Sequence, residues 1–107
     1  MINKPSAEEL KSFFITNKQA CTSVLQVISM LDNKTRLQII CLLSQGDFCV
    51  GDIVEATGGK VSNISQQLKL LNISGYLEKK RDKKNIIYSL ADKRLKGLIK
   101  YLQKQYI

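Results

Sequence analysis

Apolar residues recur at three- and four-residue steps along most of this chain, the period of helices that each bury one stripe. A first helix is expected to open at Pro5-Ser6-Ala7-Glu8-Glu9, with Ser6 as N-cap and Glu9 at capping-box spacing. From Lys18 to Leu31 the stripe is Cys21, Val24, Leu25, Ile28 and Leu31; the pattern leaves open whether this stretch continues the first helix. Asp32 and Asn33 can cap a next helix that buries Leu37, Ile40, Cys41 and Leu43 or Ser44 and ends at Gly46. Val50, Ile53 and Val54 fit a short helix closed by Gly58-Gly59, a pair suited to a tight interhelical turn. Beyond it, Val61, Ile64, Leu68, Leu71 and also Ile73 mark the buried face of a further helix. Lys60, Ser62, Asn63, Ser65, Gln66, Gln67 and Lys69 fall at its outward or flanking positions.

Gly75 punctuates that helix, after which Tyr76-Leu77 and Ile86-Ile87-Tyr88-Ser89-Leu90 read as two strands around a polar turn from Arg81 to Asn85. Helix, turn, helix and hairpin in this order predict a mainly α fold with a small β-hairpin, a winged helix-turn-helix. Asp92 can cap a last helix whose stripe is Leu95, Leu98, Ile99, Leu102 and Tyr106. No element follows to cover that stripe, so burial against a second copy and the N-terminal helix is expected, giving a two-fold homodimer through the N- and C-terminal helices. Two reading helices on successive major grooves then want half-sites about 34 Å apart, a roughly palindromic operator.

Composition sharpens the partner. The 107 residues, 44% of them hydrophobic, have room for one domain spanning 1–107. A net charge of +8 favours a polyanion, and its distribution matters more than its size. Residues 60–84 hold seven cations against Glu78 and Asp82, a local net of +5, and five of those cations lie between Lys79 and Lys84. Small polar side chains on a helix beside a basic loop are what reading a duplex requires, one part for base edges and one for phosphates. Double-stranded DNA is the expected partner, with Arg81, Lys83 and Lys84 on its phosphates. Lys93, Arg94, Lys96, Lys100 and Lys104 add a further basic face, read as solvation or flanking-DNA steering.

No apolar run approaches the ~18 residues of a membrane span, and Met1 to Ala20 mixes charges with Phe13 and Phe14; a cytoplasmic protein without a membrane partner is expected. Three cysteines, Cys21, Cys41 and Cys49, make no even-numbered framework and default to reduced thiols. The absence of histidine removes the commonest zinc ligand and the usual general base near neutral pH. With no Gly-rich phosphate loop and no nucleophile elbow either, no cofactor and no enzymatic activity are expected.

Four motifs carry a resemblance: Asn33-Lys34-Thr35-Arg36-Leu37-Gln38-Ile39-Ile40, then Val50-Gly51-Asp52-Ile53, then Ser62-Asn63-Ile64-Ser65-Gln66-Gln67-Leu68, then Ile87-Tyr88-Ser89-Leu90. Their order and separations resemble the ArsR/SmtB family of bacterial dimeric repressors over almost the whole chain. The resemblance implies a winged-helix homodimer that leaves its operator when an inducer binds. Gln67 stands where the family commonly has histidine; an amide still donates and accepts.

Within the family, Cys41 in Leu37-Gln38-Ile39-Ile40-Cys41-Leu42-Leu43 resembles the BigR/HlyU-like thiol-responsive branch. That branch pairs this cysteine with another just after a tyrosine near the end of the last helix, where this chain has Tyr106-Ile107. By another alignment, Phe48-Cys49-Val50-Gly51-Asp52 is similar to the Cys-Val-Cys metal-site helix of arsenic and cadmium sensors, with Gly51 in place of the second cysteine. The family's terminal-helix zinc site has Asp92 but no histidine to complete it, so that zinc site is rejected and no other metal site is assigned, although Cys21 of one subunit and Cys49 of the other could together offer thiolates to a soft metalloid. Cys41, Cys49 and Cys21 remain candidate sensor thiols, each with a plain structural reading beside it: a helix core, a helix start and an apolar stripe. Near a helix start, Cys49 has backbone N–H groups and the dipole in its favour. The function implied is a sequence-specific repressor released by a thiol-directed signal (reactive sulfur, oxidant or soft metalloid) or another ligand. The alternative is a winged-helix protein-interaction module without inducer sensing.

Overall fold

The computed structural model describes residues 3–107. Two compact units follow one another, one ending at Asp32 and one running from Asn33 to Ile107.

The first unit is a helix. α1 spans Ala7–Leu31 without a break, so the two N-terminal helical stretches are one element of 25 residues. Ser6 caps it as expected, its Oγ accepting the Glu9 N–H at 3.1 Å. Met30 is its buried residue, whereas Leu10, Phe13, Phe14, Val24, Leu25 and Ile28 are exposed. A helix cannot cover its own apolar face, so this one is left for another surface.

The second unit begins with α2, Lys34–Leu43, capped by Asn33, whose Oδ1 accepts the Arg36 N–H at 3.0 Å. Its buried residues are Ile39, Ile40 and Leu43, followed by Ser44, whose Oγ donates to the Ile40 carbonyl. Leu37, expected inside, is exposed, and Cys41 is only half-buried. Leu37 and Ile39 lie two residues apart, roughly 200° around the helix, so committing Ile39 to the core turns Leu37 out.

A short strand that no periodicity announced comes next. β1, Phe48–Cys49, pairs antiparallel with β3 in the register Phe48↔Tyr88 and Cys49↔Ile87. α3, Val50–Thr57, ends on Gly58 at φ +71°, a left-handed residue that only glycine adopts without cost. A side chain on Gly59 would stand 3.1 Å from Ile64 Cδ1 and 3.2 Å from Thr57 Oγ1, so the turn into the next helix is packed as well as bent.

α4, Val61–Ile73, buries Ile64, Leu68 and Leu71 against α2, α3 and β2. Val61 and Ile73, both expected on that face, are exposed. Val61 is the first residue of the helix, before the core begins; Ile73 is two residues past Leu71 and so faces the other way. β2, Leu77–Asp82, and β3, Asn85–Leu90, pair from Leu77↔Leu90 to Asp82↔Asn85, giving the antiparallel order β1-β3-β2. The hairpin tip is therefore Lys83-Lys84 alone, and Arg81 lies in the strand rather than in the turn. α5, Arg94–Tyr106, starts two residues beyond Asp92, whose Oδ1 still accepts the Arg94 N–H at 3.1 Å. The apolar stripe of α5 divides: Leu95 and Ile99 enter the unit's own core, while Leu98, Leu102 and Tyr106 stay exposed. The architecture is mainly helical with a small antiparallel sheet, a winged helix-turn-helix.

Candidate nucleic-acid interface

Burying Ile64, Leu68 and Leu71 leaves the opposite side of α4 to solvent. Ser62, Ser65, Gln66 and Lys69 fall there at three, one and three residue steps, all exposed, with Lys60 exposed at the N-cap. Asn63 is exposed too, but it is not free: its Nδ2 donates to Thr35 Oγ1 of α2 at 3.3 Å. This bond ties the first turn of α4 to the first turn of α2, across 28 residues of sequence. Thr35 was not among the candidates read from the sequence, and no local signal could have found it.

Gln67 differs from expectation. It is half-buried, and its Oε1 is enclosed with no hydrogen-bond partner among the described residues. It follows Ile64 by three residues and precedes Leu71 by four, which carries it to the edge of the core face. Such an orphaned acceptor costs roughly 1–3 kcal/mol in protein interiors.

The hairpin supplies the charge. Beyond Leu77 every residue of β2 is exposed, which brings Lys79, Lys80 and Arg81 into solvent ahead of Lys83 and Lys84 at the tip. Arg81 Nε donates to the Lys83 carbonyl at 3.3 Å, folding the guanidinium back over the turn. Lys83 has φ +57°, a left-handed backbone unusual outside glycine, asparagine and aspartate. Glu78 accepts from Ser89 Oγ at 3.4 Å on the same ladder, and no ion pair joins either hairpin carboxylate to a hairpin cation among the described residues. The cations are left to act outward.

The thiols sit apart from one another in kind. Cys21 is exposed on α1. Cys41 is half-buried, shares a shallow depression with Gln38, Leu42 and Thr57, and has its thiol pushed up from the ordinary value by burial. Cys49 caps α3, where the Asp52 carboxylate accepts both its backbone N–H and its Sγ–H at 3.2 Å. Cys49 and Asp52 thus form a capping box at the start of α3. Among the described residues no three histidine, cysteine, aspartate or glutamate side chains cluster where a metal could be held. A raised pKa means less thiolate at neutral pH, and half-burial restricts access. Cys41 should therefore be alkylated by iodoacetamide more slowly in the folded protein than in the urea-unfolded chain, its rate still rising about tenfold per pH unit between roughly pH 7 and 8. Peptide mapping after timed quenching checks this; equal rates in the two states would contradict it.

Comparison with known proteins fits this geometry. The sequence model described as "Bacterial regulatory protein, arsR family" matches residues 33–79. The Biofilm growth-associated repressor of Agrobacterium fabrum is 32% identical over 85 residues, covering 79% of this chain and 73% of that protein. The chain belongs to the arsR family of bacterial regulatory proteins. The crystal structure of the repressor BigR from Xylella fastidiosa superposes on this arsR-family chain with a TM-score of 0.79 at 29% identity, over 84% of this chain and 92% of that one. The homodimeric winged helix-turn-helix DNA-binding domain of Mb0332 from Mycobacterium bovis superposes with a TM-score of 0.68 at 33% identity, covering 81% and 82%. The matched family is one of bacterial regulatory proteins, the curated relatives are repressors, and the Mb0332 domain is a homodimeric DNA-binding domain. No helix of this arsR-family chain is long and apolar enough to cross a membrane among the described residues.

Proposed function

We propose that the chain is a dimeric repressor that reads a roughly palindromic operator with α4 and grips the flanking phosphates with its hairpin. The observation that supports this most directly is the exposed polar face of α4 beside a hairpin whose cations have no ion-pair partners among the described residues. Ser62, Asn63, Ser65 and Gln66 address base edges; Lys60, Lys69, Arg81, Lys83 and Lys84 address phosphates. Gln67 acts from the margin of the helix, where one half of its amide is already enclosed.

A second copy covers the exposed apolar side chains of α1 and those of α5, Leu98, Leu102 and Tyr106, and so doubles the reading helix. Release follows when an inducer binds the DNA-free dimer better, by a coupling of typically about 1–3 kcal/mol. The inducer is a thiol-directed signal or a small ligand, with Cys41, Cys49 and Cys21 as the groups on which it acts.

The phosphate role of the hairpin has a specific signature. Replacing Lys83 and Lys84 together by glutamine should weaken binding to every duplex alike and reduce the dependence of log K on log salt by about 0.9 for each phosphate that is no longer neutralised. Fluorescence anisotropy across a salt series reads both quantities. A change in sequence preference with an unaltered salt slope would refute the assignment.

A further inference from the structure

α5 carries a charge pattern that neither the operator-reading surface nor the core explains. From Lys93 to Ile107 there are five cations and no acidic residue. The nearest carboxylate, Asp92, is already taken: it receives Arg94 Nε and Nη2 at 2.9 Å each, and this pair holds its pKa low. Lys93, Lys96, Lys100 and Lys104 follow at three, four and four residues, which places Lys96, Lys100 and Lys104 on one exposed face with Lys93 at its start. Leu95 and Ile99 are buried, so that face points away from the unit's core.

A face kept only for solvation usually alternates signs. Opposite charges at i,i+4 add about 0.2–0.5 kcal/mol to a helix and like charges cost a similar amount. Here both i,i+4 lysine pairs repel, no acidic residue of the helix offsets them, and the helix dipole favours only Lys104 in the last turn.

Gly97 is the second observation. It lies between Lys93 and Lys100 on the same side, in a helix interior, where glycine costs roughly 0.5–1 kcal/mol relative to alanine. A methyl group there would meet nothing within 4 Å, and the residue has no positive φ. Neither conformation nor packing inside the chain calls for glycine. What the absent side chain permits is close approach of an outside group to the helix backbone.

We propose that this face of α5 is a second nucleic-acid surface, on which a phosphodiester backbone lies against Gly97 with Lys93, Lys96, Lys100 and Lys104 on its phosphates. The inference rests on the DNA-binding reading above and extends it to nucleic acid outside the segment read by α4 and the hairpin. Lysines four residues apart are about 6 Å apart along a helix, comparable with the spacing of charges on a duplex, where each strand carries one phosphate per about 3.4 Å of duplex axis. α5 packs on α2, and α4 also turns its buried face toward α2, α3 and β2, with its polar residues on the opposite side.

The test uses the full chain and random-sequence duplexes of about 20 and about 60 base pairs, titrated by anisotropy across a salt series. Four proteins are compared with the wild type: Lys96→Gln/Lys100→Gln/Lys104→Gln, Gly97→Ala, Lys83→Gln/Lys84→Gln, and the α5 and hairpin changes combined. On the long duplex the α5 triple variant should bind about tenfold or more weakly at low salt, with a salt slope smaller by about two to three. Gly97→Ala should weaken long-duplex binding several-fold while raising the melting temperature, a combination that a merely structural glycine does not give. An unchanged slope in the α5 variant beside a reduced slope in the hairpin variant overturns this proposal and leaves the operator reading intact. Failure of the wild type to bind any duplex overturns both. A shift in sedimentation coefficient for Gly97→Ala without weaker DNA binding assigns the face to a second copy of the chain, and the proposal falls.

Discussion

Leu68→Ala should destabilise the winged-helix unit by about 3 kcal/mol, within the usual span of about 2–5 for emptying a fully buried leucine site. Leu68 is fully buried, and it lies on the helix that α2, α3 and β2 all pack against, so no single neighbour can collapse into the space. For a unit of this size each kcal/mol moves the melting point by roughly 4–8 °C, which puts the expected drop above about 10 °C. Val61→Ala, on the same helix with Val61 60% exposed, should change stability by less than about 0.5 kcal/mol. Calorimetry at one fixed protomer concentration makes the comparison, because dimerisation would make the apparent stability concentration-dependent. Equal effects at the two positions would mean that the core does not run along Ile64, Leu68 and Leu71.

That contrast also locates where the sequence was legible. Helices with a cap at one end and a glycine at the other could be read locally: Ser6 and Asn33 accept the N–H groups three residues on, and Gly58 takes the left-handed turn. Rotation of a helix about its axis could not. α2 offers Leu37, Ile39, Ile40, Leu42 and Leu43, enough apolar positions for more than one stripe, and only packing against its neighbours α4, β3, α3 and α5 selects the one containing Ile39. The same holds for α5, whose apolar stripe divides between buried Leu95 and Ile99 and exposed Leu98, Leu102 and Tyr106.

The sheet was less visible still. β1 is two residues long and has no period of its own; its identity lies in the partners Tyr88 and Ile87, far along the chain. The hairpin tip is narrower than the polar turn from Arg81 to Asn85, because a two-residue loop is normally announced by glycine or asparagine, and here Lys83 takes the positive φ. At the candidate site, exposure of Ser62, Ser65, Gln66 and Lys69 followed from periodicity. Enclosure of Gln67 and the bond from Asn63 to Thr35 depend on how α4 lies against α2, which no spacing within α4 encodes.

The Asn63–Thr35 bond makes the recognition assignment testable at the level of single base pairs. With an operator selected from a random pool by the wild type, Gln66→Ala and Asn63→Ala should each cost about 1–3 kcal/mol of discrimination at one position per half-site, roughly 5- to 150-fold, with the salt slope unchanged. Thr35→Val keeps the shape of the side chain but removes the acceptor that holds Asn63 Nδ2 at 3.3 Å. It should lower discrimination at the Asn63 position and nowhere else, because only the aim of that amide is disturbed. The double variant separates orientation from base reading: once Asn63 is alanine, Thr35→Val should cost nothing further, so the coupling energy equals in size the single effect of Thr35→Val. Anisotropy titrations against operators changed one base pair at a time measure all four proteins. Additive effects would show that Thr35 acts independently of Asn63, and uniformly weaker binding on every sequence would move Asn63 from base reading to the phosphates.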